Sequence, residues 1–443
     1  MEMVVLLRCT LLLLLSSLSW LHEAHGSGPG CAATQHGSDI TVMHPYGPCS
    51  PFPQAESLSW EQALFQMNAE DDARLLYLGN LQVVPRPKGR KRTFVPIASG
   101  RQTLQSTAYI VRVSVGTPPQ AFLMALDISN DAAWIPCSGC LGCSSTVFTS
   151  ATSTSYKTLP CQAPQCKQVP NPSCLGSTCS FNMTYGSSSF SANLSQDTMT
   201  LAGDSVPFYT FGCLNAVTGV SVPPQGLLGL GRGPTSLLSQ TQNIYHSTFS
   251  YCLPSFKSLN FSGTLRLGTA GQPIRIKTTP LLRNPRRPSL YYVNLMGISV
   301  GRRLVDIPPN ALAFDPVTGA GTIIDSGTAV TRLVEPAYVA VRDAFRRRVK
   351  GTVTSLGGFD TCYNGPIMAP TMKFHFAGMN MSLGGDNLLI HSTAGSITCL
   401  AMAAAPANVN SVLNVIANMQ QQNHRVLFDV PNSRVGVSRE LCT

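Results

Sequence analysis

Two short stretches of the 443-residue chain could do chemistry as a pair. Ala125-Leu126-Asp127-Ile128-Ser129-Asn130 and Ile323-Ile324-Asp325-Ser326-Gly327-Thr328 each run an apolar strand into an aspartate, followed by small or polar residues. A lone aspartate at a strand end is an ordinary turn or cap residue. Two in matching contexts are different, because carboxylates held about 3 Å apart resist joint ionisation and share one proton. The ionised member then acts as base toward a bound water, while the protonated member polarises the carbonyl under attack. Such a pair titrates as a unit and hydrolyses an amide without a metal, cofactor or covalent intermediate. Asp131 is a third nearby acid with no counterpart in the second stretch, and is read as a turn or supporting residue.

Other chemistries find less support. The His residues show no pairing that suggests a Ser or Cys triad, and no His-x3-His spacing appears. Cys137-x2-Cys140-x2-Cys143 has a spacing seen in metal and iron–sulfur sites. The N-terminus argues against that reading. Met3–Leu21 carries Arg8 and the apolar run Leu11–Leu15, and small residues follow at Ala24-His25-Gly26. This is the pattern of a signal peptide over 1–26, and it leads to an oxidising compartment where thiolates pair. Three of the 15 Cys (Cys9, Cys31, Cys49) precede the expected mature start, and the remaining 12 suit six disulfides. Asn182, Asn193, Asn260 and Asn380 begin glycosylation sequons. No later stretch approaches membrane-spanning length, and no apolar tail signals a lipid anchor. A secreted protein is expected, in the wall space or a vacuole.

The elements that must position the two aspartates are short strands. Tyr109–Val115 is β-branched and stops at Gly116-Thr117-Pro118-Pro119, and Phe122–Leu126 runs into Asp127. Further strands are expected at Thr264–Leu267, Tyr291–Val300, Thr322–Ile324, Met372–Phe376, Val412–Ile416 and Arg425–Phe428. Each half also carries an apolar pair before a small residue, Leu227-Leu228-Gly229 and Val415-Ile416-Ala417. A duplicated all-β chain offering one Asp per half follows. Helices are expected at Ser57–Leu81 and Glu335–Val349. Between them Val83–Gly100 is rich in Pro and basic residues, including Lys88-Gly89-Arg90-Lys91-Arg92, and reads as an exposed linker where processing occurs.

Composition agrees. Charged residues are 12% and apolar ones 44%, with 37 Gly and 32 Pro, which excludes a disordered chain and suits many turns. Residues 1–92 hold 7 of the 31 Lys and Arg and 8 of the 21 Asp and Glu, so the remainder carries 24 against 13. That excess suits an acidic cell-wall polysaccharide or, more simply, solubility. No nucleic-acid motif accompanies it.

The residues also resemble a family. Ile324-Asp325-Ser326-Gly327-Thr328 is similar to the second active-site motif of pepsin-like aspartic proteases, and Tyr185-Gly186 to the start of their flap. Trp134 sits where that family keeps a Trp supporting the flap Tyr. Gly226-Leu227-Leu228-Gly229-Leu230-Gly231-Arg232-Gly233, Asn418-Met419-Gln420-Gln421-Gln422-Asn423 and the cysteines from Cys137 to Cys179 resemble its plant nepenthesin-like branch. The resemblance implies a bilobal all-β fold: a signal peptide over 1–26, a pro-segment and linker over 27–100, and six-stranded barrel lobes over 101–288 and 289–443. The first lobe would carry a Cys-rich insertion over 137–179. An extended peptide or protein substrate would lie in the cleft, and the pro-segment would block that cleft or assist folding. The protein would act as a monomer. Plant members are linked to defence, development and cell death. The resemblance further implies the disulfides Cys137–Cys140, Cys143–Cys213, Cys161–Cys179, Cys166–Cys174, Cys252–Cys442 and Cys362–Cys399.

The first motif departs from the family's Asp-Thr-Gly-Ser or Asp-Thr-Gly-Thr. Ser326 can supply the hydroxyl that braces one lobe against the other, whereas Ile128 cannot. Ser129 keeps the backbone N–H, and Asn130 can donate an amide to Asp127. Ser187-Ser188-Ser189 and Ala417 are further departures. An acid-active endopeptidase is expected, slow or selective. The competing expectation is a silent cleft of the same fold used for binding, as in plant inhibitors of xylanases.

Overall fold

A computed structural model describes residues 39–43, 60–80, 109–255, 263–391, 396–406 and 412–442. The expected signal peptide, the basic linker and Asn260 lie outside these residues.

The chain is all-β, and the expected strands form with small changes of boundary. Ile110–Val115 pairs antiparallel with Gln120–Asp127 through the turn at Gly116-Thr117-Pro118-Pro119. Tyr291–Val300 divides at Asn294 into Tyr291–Val293 and Leu295–Val300. The second expected helix ends earlier, spanning Glu335–Arg346. Twenty strands form one hydrogen-bonded network running through both halves, and two four-stranded sheets flank it.

The repeat seen in the sequence is a repeat of pairing. Leu227–Gly229 lies parallel to Gln120–Asp127, with Leu228 opposite Leu126 and Gly229 opposite Asp127. Leu413–Ile416 lies parallel to Gly321–Ile324 in the same way, with Ile416 opposite Ile324. Each aspartate thus leaves a central strand, apolar on both faces, beside a second strand that fixes its height. The Asp127 carbonyl accepts from Leu230 N–H at 2.8 Å, and Asp325 N–H donates to the Ile416 carbonyl at 3.1 Å.

The glycines of the 226–233 segment have a packing reason. Gly233 N–H donates to Asp131 Oδ1 at 2.7 Å, while Ser289 Oγ donates to Asp131 Oδ2 at 2.5 Å. Asp131 therefore ties the loop after Asp127 to residues from two later segments. A Cβ on Gly233 would collide with that carboxylate. Gly233→Ala is expected to cost about 1–3 kcal/mol in a thermal melt, the usual penalty for forcing atoms into a packed contact.

Four of the expected disulfides pair differently. The structure joins Cys137 to Cys213 and Cys140 to Cys143, in place of Cys137–Cys140 and Cys143–Cys213. The reason is register: Ile135 stands opposite Cys213 on parallel strands, bringing Cys137 alongside, and the turn after it closes on itself. Cys161 joins Cys174 and Cys166 joins Cys179, in place of Cys161–Cys179 and Cys166–Cys174. Burial sorts these. Cys166 and Cys179 are both inside a cluster with Trp134 and Phe181, while Cys174 is exposed and Cys161 half-exposed. Cys252 pairs with Cys442 and Cys362 with Cys399. Of the sequons, Asn182 and Asn380 are exposed and Asn193 half-buried.

The segment ahead of the repeat is built into the fold. Asp39–Met43 adds as a strand between Gly263–Leu267 and Ile110–Val115. Trp60–Asn80 is a helix whose buried face carries Met67, Asp71, Arg74, Leu75 and Leu78, spaced by three or four residues. Met67 packs with Val330, Phe359 and Met419. Leu75 and Leu78 pack with Tyr292, Ile323 and Val415. An acid and an arginine in the middle of such a stripe need partners, and they find them around the two aspartates.

Candidate active site

Asp127 and Asp325 are both fully buried and meet at one guanidinium. Arg74 donates from Nε and Nη2 to Asp325 at 2.7 and 3.0 Å, and from Nη1 and Nη2 to Asp127 at 3.0 and 2.8 Å. Both carboxylates are therefore held by forks, the geometry that arginine offers and lysine does not. Nη2 also reaches Ser129 Oγ at 2.7 Å, and Nη1 reaches the Tyr185 hydroxyl at 3.2 Å. A Cβ on Gly327 would strike the guanidinium, so the glycine of the second motif lets Arg74 approach.

Each aspartate has its own set of donors. Asp127 accepts from Ser129 N–H at 2.8 Å, Ser129 Oγ at 2.9 Å and Asn130 Nδ2 at 2.7 Å. The amide foreseen for Asn130 is present, and the Ser129 hydroxyl adds a donor that the sequence reading did not foresee. Asp325 accepts from Thr328 Oγ1 at 2.5 Å and Gly327 N–H at 3.3 Å. Its loop is pinned from behind: Gln421 Nε2 donates to the Asp325 carbonyl at 2.8 Å and Asn418 Nδ2 to the Ser326 carbonyl at 3.0 Å. Gln421 is itself held by the Tyr251 hydroxyl. That is the work of the Asn418–Asn423 motif, whose role its residue types alone did not reveal.

The brace between halves is one-sided. Ser326 Oγ donates to the Leu126 carbonyl at 3.2 Å, whereas Ile128 is wholly buried in the apolar core. Tyr185 ends one strand of the hairpin Thr178–Tyr185 and Ser188–Leu201. Its ring meets Trp134 edge-on at 5.6 Å between centroids, and its hydroxyl donates to Asp127 at 3.2 Å. Trp134 Nε1 is buried without a hydrogen-bond partner among the described residues. Asp127, Asn130, Tyr185, Asp325, Gly327 and Thr328 thus gather around the two carboxylates, with Ser326 and Trp134 adjoining them. Arg74 was missed, though it is the lone basic residue in a helix bearing Glu70, Asp71 and Asp72.

Electrostatics follow from the arrangement. Burial works to raise the Asp127 carboxyl, but the Arg74 charge and the Ser129 and Asn130 hydrogen bonds outweigh it and hold it below the ordinary 3.8. Burial, then the Asp127 charge, pushes the Tyr185 phenol well up, so it stays a neutral donor. Burial works to lower the Arg74 guanidinium, but the charges of Asp127 and Asp325 outweigh it and keep Arg74 a cation. Among the described residues no group of His, Cys, Asp and Glu has a metal-holding arrangement.

The family descriptions "Xylanase inhibitor N-terminal" and "Xylanase inhibitor C-terminal" match residues 109–269 and 290–439. The chain is 52% identical over 423 residues to Aspartyl protease AED3 of Arabidopsis thaliana, covering 93% of each. It is 46% identical over 431 residues to Aspartyl protease 25 of Oryza sativa subsp. japonica, covering 91% of this chain and 95% of that one. It is 35% identical to aspartic proteinase nepenthesin-1 of Nepenthes gracilis, covering 75% and 78%. Among solved structures it is similar to edgp at a TM-score of 0.62 and 21% identity, over 76% of this chain and 92% of that one. Soybean Basic 7S globulin gives 0.60 at 21% identity, over 75% and 93%. Those two show the fold alone. With its duplicated Asp strands and paired family domains, the chain belongs to the pepsin-like aspartic proteases, in their plant nepenthesin-like branch.

Proposed function

We propose that the chain is a secreted aspartic endopeptidase, acting in acid, whose Asp127 and Asp325 activate a water, and that it is made as a precursor closed by its own 60–80 helix. One observation carries this: a single buried guanidinium bidentate to both carboxylates. A carboxylate pair fit to hold a water and a peptide carbonyl is also fit to hold the planar cation that displaces them. Residues 27–100 are then a pro-segment, released by cleavage in the basic linker, and 101–288 and 289–443 the two lobes. Chemistry after release would use the dyad as base and acid, with Tyr185 and Trp134 covering the substrate from the flap.

The test is hydrolysis of a peptide mixture from acid to neutral pH by the full chain, folded in an oxidising host and then cleaved in the linker. Pepstatin-sensitive cleavage is expected. A second reading, a silent cleft for binding, draws on Ile128 in the brace and on the inhibitor-named domain pair. It predicts no cleavage at any pH.

The helix is expected to hold tightest in mild acid. Asp127 faces Arg74, Tyr185 and Asp325, and its carboxyl is lowered while Arg74 is docked. Its contribution is therefore complete above the ordinary 3.8 and is lost as pH falls through the lowered value. Asp71 faces Arg332 and two backbone amides, with Glu70 beside it. Burial outweighs the pull of Arg332 and the amides, and pushes it up to about 7. Its contribution is full below 3.8 and fades as pH rises through about 7. Burial raises Asp72 too, against the pull of Arg332. Hydrogen-exchange protection of the helix amides, corrected for intrinsic rate, is expected to peak between about pH 4 and 6. Protection that climbs steadily to neutral pH would show that Asp71 does not act this way.

A further inference from the structure

Arg332 is a buried cation whose partners belong almost entirely to the departing helix. It lies on the strand Thr331–Leu333 with only 2% of its surface exposed. Its Nη2 donates to the Asn68 carbonyl at 3.1 Å and to Asn68 Oδ1 at 2.5 Å, and stands 3.0 Å from Asp72 Oδ1. Among the described residues its one hydrogen bond outside the helix is long, Nη1 to the Ala404 carbonyl at 3.4 Å. Its Nε has no hydrogen-bond partner among the described residues. One step back along the chain, Ala329 N–H and Val330 N–H each donate to one oxygen of Asp71, both at 2.6 Å. The helix therefore fills this corner of the cleft with the carboxyl groups of Asp71 and Asp72 and with two oxygens of Asn68. When it leaves, two backbone donors and a guanidinium remain without the acceptors they were built around.

We propose that Arg332 and the Ala329 and Val330 amides form a carboxylate-accepting subsite, and that the released enzyme selects peptides bearing Asp or Glu there. The proposal rests on the peptidase reading and names its substrate class.

The position fits. Asp71 and Arg74 are three residues apart on one helix face, so the carboxylate corner lies about 4.5 Å along the axis from the guanidinium that marks the dyad. An extended peptide advances about 3.3 Å per residue, so a side chain one or two residues from the scissile bond reaches it. A buried cation without an acceptor is costly, which makes the subsite discriminating: an acidic side chain restores the lost charge pairing and a neutral one does not. Next to it, Gly357 and Gly358 press against Phe65 and Asn68 without side chains of their own, so the helix's departure opens room there.

The experiment uses the full chain, folded intact and then cleaved in the linker. Peptides identical except for Asp, Asn or Lys at each of the two positions on either side of the scissile bond are compared above pH 4. At one position Asp is expected to exceed Asn about tenfold in kcat/KM, mainly through KM, the scale of one hydrogen bond to a charged group. Arg332→Gln is expected to bring that ratio to about one, Arg332→Lys to keep part of it, and Arg332→Glu to turn it toward the Lys peptide. No Asp preference at any position in the wild-type protein overturns the proposal, as does a preference that survives Arg332→Gln. Fluorescence anisotropy of the labelled Asp and Asn peptides on the Asp325→Asn protein asks the same question without turnover. Equal affinities there overturn the subsite, whereas cleavage failing while the Asp peptide binds preferentially overturns only the peptidase reading.

Discussion

Arg74→Ala is expected to give the unprocessed chain a peptide-hydrolysing activity well above that of the wild-type precursor. Arg74 is 6% exposed and its guanidinium makes six hydrogen bonds, four of them to Asp127 and Asp325. Removing one partner of a buried ion pair costs about 3–5 kcal/mol, because the remaining charges stay desolvated. Here the remaining charges are two adjacent carboxylates, which then repel and take up a shared proton. Helix docking loses that amount while the lobes lose nothing. At about 1.4 kcal/mol per tenfold, the open fraction rises roughly a hundredfold to a few thousandfold. The helix still has Met67, Leu75 and Leu78 in apolar contact and Asp71 on the backbone amides, so partial rather than full activity is expected. Arg74→Lys should fall between, keeping the charge but not the two forks. The measurement is the initial rate on a peptide mixture before any linker cleavage. An Arg74→Ala precursor as silent as the wild type, yet active after cleavage, would mean that contacts other than Arg74 close the site.

Much of this arrangement was legible in the chain, and the parts that were not share a cause. Apolar runs into Asp127 and Asp325 announce strands by residue type, and local chemistry suffices for Asn130 and Thr328, which lie three residues from the carboxylates they serve. The helix boundaries came within three residues because apolar periodicity is also local. The cysteine connectivity did not follow, because the choice between Cys174 and Cys179 as partner for Cys166 is made by which thiol faces the Trp134 cluster. That is a fact of packing, not of spacing. Arg74 bridges 53 and 251 residues to its two partners, and Gln421 reaches back 96 residues to the Asp325 carbonyl. What showed locally was the anomaly: a lone arginine just after three consecutive acids, Glu70 to Asp72, within a helix that is apolar at the right intervals. A polar group on an apolar stripe must find a partner, and here those partners were the candidate catalytic residues.

Asp325→Asn and Asp127→Asn are each expected to abolish hydrolysis by the cleaved enzyme, by about 10²–10⁴-fold, the range lost with a general acid or base. An amide can neither take the water's proton nor give one to the leaving amine, so either change removes both halves of the cycle. The double variant should therefore be no slower than the singles, as for groups that act as a unit. The two singles should differ in what they do to the precursor. Each carboxylate receives two bonds from Arg74, and an amide in its place can turn its NH₂ toward the guanidinium or away, so helix docking weakens in both. Asp127→Asn also disturbs the Asn130 amide and the Tyr185 hydroxyl, both of which donate to Oδ2 and lose that acceptor when an NH₂ takes its place. Asp325→Asn leaves its loop backbone pinned through the Asp325 carbonyl by Gln421. Thermal melts of the cleaved proteins should then show the larger loss for Asp127→Asn, although its motif departs further from the family's pattern. Activity retained in either variant would remove the dyad from the reaction. Equal melts with activity lost in both would keep the dyad and remove the claim that the first loop depends more on its carboxylate than the second.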